Sequence, residues 1–92
     1  MIGSFKCADT EPLARGVRVR RFTSIATVAR RKLRQLEIAT RLDDLQVPPG
    51  NRLEALRGHR LGQYSIRIND QWRVCFRWTA AGAEDVEIVD YH

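Results

Sequence analysis

Six side chains in the second half of this sequence could share acid–base and electrostatic work: Glu54, Arg57, Arg73, Asp90, Tyr91 and His92. RNA carries its own nucleophile, the 2′-hydroxyl. Cleaving it without a metal needs a base for that proton, a cation for the charge that builds at phosphorus, and an acid for the departing 5′-oxygen. Histidine, titrating near ~6.5, suits either proton role, and arginine suits the charge. The set fits a small metal-free ribonuclease. It also fits many basic domains.

Other chemistries lack their residues. The sequence holds no Walker-type phosphate loop, no dinucleotide fingerprint and no paired-cysteine zinc spacing. His59 and His92 are the only histidines, and neither has a second ligand at a known metal spacing, so no metal and no cofactor is expected. A serine nucleophile would lack its local signature. Cys7 and Cys75 lie far apart and do not resemble a secreted disulfide framework; reduced thiols in a cytosol are the simpler reading. No stretch approaches the roughly 20 apolar residues that span a bilayer, which points to a cytoplasmic protein without a membrane partner.

Charge narrows the partners. Sixteen basic residues, fourteen of them Arg, face eleven acidic ones, for a formal charge of +5. Guanidinium grips phosphate through two parallel hydrogen bonds, so nucleic acid is the first partner to consider.

To position these groups the chain needs a sheet. Gln63–Ile68 and Trp72–Thr79 read as strands around an Asn69-Asp70 hairpin turn, Leu53–Leu56 as a short strand and Gly58–Gly62 as a turn. After the Ala80-Ala81-Gly82 break, residues 85–92 read as a last strand built on Val86, Ile88 and Val89, carrying Tyr91 and His92 to the rim. Trp72, Val74, Phe76 and Trp78 point one way and Arg73, Cys75 and Arg77 the other, while Tyr64, Ile66 and Ile68 alternate with Ser65 and Arg67. One face thus packs on a helix and the opposite face offers arginines. Both tryptophans belong with the core on this pattern.

That helix runs from Thr23 or Ser24 to about Thr40, because Ile25, Val28, Ala29, Leu33, Leu36 and Ala39 recur at helical spacing. Its other side carries Arg30, Arg31, Lys32 and Arg34, and no acidic residue occurs from Pro12 through Leu36. The Arg15–Arg34 run is either a solvated face or a contact for nucleic acid or an acidic partner. Earlier, Met1–Phe5 reads as an opening strand, and Asp9 or Thr10 caps a brief helix that Gly16 ends. Val17–Phe22 alternates like a strand but could be an Arg-rich loop. Asp43, Asp44 and Leu45 suggest one more helical turn before Val47-Pro48-Pro49-Gly50 breaks the chain. The whole is a single domain, residues 1–92, of the α+β class.

Several stretches resemble the HigB-like "host inhibition of growth" toxins of bacterial type II toxin–antitoxin modules, within the RelE/ParE toxin superfamily. They are Met1-Ile2-Gly3-Ser4-Phe5-Lys6, Leu53-Glu54-Ala55-Leu56-Arg57-Gly58, the run Gly62–Arg73 leading into Phe76, and Asp90-Tyr91-His92. The Pro48-Pro49-Gly50-Asn51-Arg52-Leu53-Glu54 wording looks closest to GraT-type toxins. The resemblance implies a microbial-RNase-like fold, with N-terminal helices packed on a twisted antiparallel sheet. It also implies an endoribonuclease that enters the ribosomal A site, cuts mRNA there and inhibits translation and growth. A cognate antitoxin is implied as partner: a helix-turn-helix protein that acts on operator DNA as a complex.

By the same resemblance Arg73 is the strand arginine on the phosphate, Arg57 takes a position usually filled by lysine, and Tyr91 and His92 are the catalytic end, with Asp90 in support. Glu54 stands where family members often carry histidine; glutamate can act as a base but, with an ordinary pKa near ~4.3, is a poorer acid at neutral pH. Read without the family, Glu54 and Arg57 could equally form a surface ion pair, and Arg73 a solvated face beside an acid such as Asp90. Two other functions compete: a non-enzymatic ParE-like inhibitor of DNA gyrase, and a basic RNA-binding module.

Overall fold

Alternation in the second half produces an antiparallel meander. The structure, a computed structural model, describes residues 1–90, and Tyr91 and His92 lie outside the described residues. Strands β1 (Glu54–Ala55), β2 (Gln63–Arg67), β3 (Trp72–Thr79) and β4 (Gly82–Asp90) form one sheet in that order, each antiparallel to the next. Register places Ile66 opposite Val74 and Val74 opposite Ile88, so these three apolar side chains line the same face. All three are buried there with Phe76. Trp72 and Trp78 are half-buried and pack against this core, as expected, and Trp72 meets Phe22 edge-on at 5.6 Å between ring centroids.

Helix α1 (Thr10–Ala14) and helix α2 (Ala26–Ile38) cover that face, which gives the α+β architecture expected. Ile25, Ala29, Leu33, Leu36 and Ala39 are all buried, at the helical spacing read from the sequence, while Val28 is half-buried. Each large aliphatic side chain so buried contributes about 1.5–3 kcal/mol. Among the described residues no helix is long and apolar enough to cross a membrane.

Several elements differ from expectation, each for a local reason. The opening segment makes two isolated parallel bridges, Ile2 to Ala83 and Phe5 to Val86, and lies along β4 to satisfy its outer edge. Asp9 and Thr10 do not cap α1 through their side chains: Asp9 faces Arg21 at 3.4 Å, and Thr10 Oγ1 accepts from Ile88 N at 3.2 Å. At the other end Gly16, at φ +90°, closes the helix as expected, with Val17 N donating to Pro12 O and Gly16 N to Leu13 O. Val17–Phe22 forms no strand: Val17, Arg18 and Val19 are the Arg-bearing loop, and Arg20–Ile25 coils as a 3-10 helix that feeds Phe22 and Ile25 into the core.

The hairpin joining β2 to β3 is longer than a two-residue turn. The β2–β3 register ends at Arg67 opposite Arg73, and Asn69 Oδ1 closes the loop by accepting from Gln71 N and Trp72 N at 2.9 and 2.8 Å. β4 begins at Gly82 and not at residue 85, since Thr79 pairs with Gly82 directly. A bulge at Asp85, φ +52°, then keeps both Val86 and Ile88 in the core and turns Glu87 to the opposite face.

Lys32 corrects the expected helix face. It is 8% exposed rather than solvated, and its Nζ donates to Asn51 Oδ1 at 2.5 Å. Burial pushes its pKa down, and Arg31 and Arg67 nearby act the same way. Arg30 is likewise occupied, donating to the carbonyls of Leu13 and Val17 at 3.1 Å each.

Candidate active site

The sheet face turned away from the helices holds the arginines. Arg73, the second residue of β3, projects there with Ser65 and Glu54, since Ser65 pairs with both Glu54 and Cys75 across the strands. Arg73 Nε donates to Ser65 Oγ at 2.7 Å, its Nη2 donates to the carbonyl of Arg52 at 2.8 Å, and Glu54 Oε1 stands 3.4 Å from Nη2. The arginine side chain is only 12% exposed against 51% for the glutamate. Its planar head is therefore fixed in orientation by oxygens from two strands and a loop, which is what selective binding of one phosphate requires.

Two features keep this cation in place. Arg67 lies directly opposite Arg73, a like-charge pair that would be unfavourable if both heads met, but Arg67 turns to Asp70 and forms an ion pair there. Arg52 adopts a left-handed backbone, φ 47° and ψ 55°, which aims its carbonyl at Arg73. For a residue other than glycine that conformation costs about 1–2 kcal/mol, and such cost is found where a neighbouring group must be held.

The other expected residues are distributed as follows. Glu54 pairs with Arg73, so the alternative of a Glu54–Arg57 surface bridge gives way to a cross-strand one. Arg57 is exposed just beyond Leu56, whose N donates to Gln63 O. Gln63 is four residues from Arg67 along β2, so the Arg57 and Arg73 backbones are separated by about 13 Å or more of strand. Asp90, at the end of β4 and opposite Trp72, accepts from Gln71 Nε2 at 3.0 Å and so lies at the same end of the sheet as Arg73. Tyr91 and His92 fall outside the described residues.

Behind Arg73 the face becomes a closed polar layer. Arg60 Nη1 donates to Glu87 Oε1 at 2.8 Å and to Gln63 Oε1 at 3.2 Å. Cys75 is fully buried beneath them, and burial pushes its thiol pKa up, with Glu87 and Glu54 adding to the rise and Arg60 and Arg73 opposing it. Both cysteines are free thiols. Among the described residues no group of three His, Cys, Asp or Glu side chains converges as a metal ligand set.

Sequence reasoning missed Ser65 and Arg52. Ser65 could have been found, since strand alternation puts it on the arginine side. The Arg52 carbonyl has no side-chain signal.

Comparison with known proteins covers this whole region. Residues 16–92 match the family model for the HigB-like toxin, described as a RelE-like toxin of the type II toxin–antitoxin system HigB. Toxin HigB-1 of Vibrio cholerae is 46% identical over 56 residues, 61% of this chain and 59% of that protein. An uncharacterized protein of Haemophilus influenzae is 34% identical over 56 residues, 61% of this chain and 55% of that protein. The chain thus matches less than two thirds of either relative's length. With a helix-covered antiparallel sheet and the family match running through every candidate position, this chain belongs to the HigB-like toxins of the RelE-like group.

Proposed function

We propose that this protein is the toxin of a type II toxin–antitoxin pair and acts as a ribosome-dependent endoribonuclease, cutting mRNA in the ribosomal A site. The observation that carries the reading is the immobilised Arg73 head, bonded to Ser65 and the Arg52 carbonyl beside the Glu54 carboxylate. Arg73 binds the scissile phosphate and its developing charge. His92 or Glu54 takes the 2′-proton, and Tyr91 orients the nucleotide or assists proton transfer. Arg57, exposed beyond the end of β1, holds a neighbouring phosphate. Asp90 supports the end of β4 through Gln71.

Naked RNA is a poor substrate on this account, because a flexible strand seldom places its 2′-oxygen in line with the departing oxygen, and a ribosome holding the codon supplies that geometry. The partner that silences the toxin is an antitoxin of helix-turn-helix type that binds operator DNA in complex with it. The test adds purified protein to mRNA with and without programmed ribosomes. Fragments ending within the A-site codon are expected only with ribosomes. Rapid cutting of naked RNA at many sequences would contradict the reading.

A further inference from the structure

Asn51 is fully buried, and every polar atom of its side chain is engaged. Oδ1 accepts from Lys32 Nζ at 2.5 Å, while Nδ2 donates to Gln35 Oε1 at 2.8 Å and to Leu45 O at 3.1 Å, with Val47 O at 3.4 Å. Helix α2 contributes Lys32 and Gln35, and the loop before β1 contributes the two carbonyls. Asn51 therefore ties that loop to the helix. The next residue is Arg52, whose left-handed backbone presents its carbonyl to Arg73.

Lys32 is the unusual member. Among the described residues no carboxylate forms an ion pair with it, and a methionine would fill similar space without taking a charge out of water. Burial of the ammonium is offset by the Asn51 carbonyl, a short bond to a charged donor and so a strong one. A strong bond at this point resists rotation of the Asn51 side chain, and with it rotation of the Asn51–Arg52 peptide.

We infer that Lys32 and Asn51 are positioning residues for Arg73: they lock the loop so that the Arg52 carbonyl stays aimed at the guanidinium. The functional weight of this role rests on Arg73 being the phosphate-binding group. Mechanically it makes α2, the helix with the basic outer face, a support of the site on the opposite side of the sheet.

The Arg73 Nε–H signal in 1H–15N spectra, assigned by its loss in Arg73→Lys, reads the head group without any RNA. Lys32→Met and Asn51→Asp are expected to displace this signal and to speed its exchange with water by about ten-fold or more. Lys32→Gln, which keeps a donor one atom shorter, displaces it less. Val86→Ala, a core truncation in β4, lowers thermal stability and leaves the signal in place. An unmoved Arg73 signal in Lys32→Met, or in Asn51→Asp if Lys32→Met does not fold, overturns the inference. In the cleavage assay the same variants lower kcat by about ten-fold with KM little changed. Wild-type protein inert toward mRNA would defeat the nuclease reading, while the spectra would still decide this one.

Discussion

At the scale of single residues, what distinguishes Arg73 from the other thirteen arginines is the number of constraints on its head. Arg77, on the same strand face, has a side chain 46% exposed and an Asp85 partner at 3.5 Å, an arrangement worth little. Arg73 is nearly buried and bonded at two nitrogens. Its partner Glu54 is half-exposed, so their ion pair adds about 1 kcal/mol or less to stability. Replacement Glu54→Gln should therefore leave the melting temperature nearly unchanged while lowering the cleavage rate by about 10² or more, as loss of a proton acceptor does. Unchanged cleavage would restrict Glu54 to orienting Arg73. At this scale the sequence revealed residue types and the alternation that puts Arg73 and Ser65 on one face. It did not reveal that Lys32 turns inward, because that depends on Asn51, nineteen positions away, offering an interior oxygen.

At the scale of elements, legibility followed the length of the pattern. Helix α2 and strands β2 and β3 repeat their periods often enough to be read, whereas Met1–Phe5 and Arg20–Ile25 take their form from the β4 edge and from the core they enter. Gly82 marks where that N-terminal segment crosses the last hairpin: at φ +116°, an added Cβ would stand 2.3 Å from the Met1 carbonyl oxygen. Gly82→Ala should cost about 2 kcal/mol or more and lower the melting temperature by about 10 °C. A shift under about 2 °C would mean the segment is not seated there.

The turn after α2 offers a pH test. The backbone N–H groups of Arg41 and Thr40 donate to Asp44 and hold its pKa below the ordinary 3.8, so its contribution is present above 3.8 and lost as pH falls through the lower folded value. The difference in melting temperature between wild type and Asp44→Ala should be constant from neutral pH to about 4 and shrink below it. A difference independent of pH throughout would contradict the assignment.

At the scale of the molecule, the basic excess is spread over both sides of the sheet. Arg31 and Arg34 stand exposed on α2, while Arg77 is exposed on the far side. A partner rich in phosphate can therefore be gripped on two sides, which suits insertion between RNA surfaces better than docking on one, and binding should weaken steeply with salt. The most direct measurement is primer-extension mapping of mRNA cuts in a purified translation system, with wild type, Arg73→Ala and His92→Ala compared and with ribosomes omitted in parallel. Ribosome-dependent cuts in the A-site codon are expected, falling by about 10² or more in either variant. Cuts of undiminished strength in Arg73→Ala, or no cuts with wild type under any condition, would contradict the proposed function.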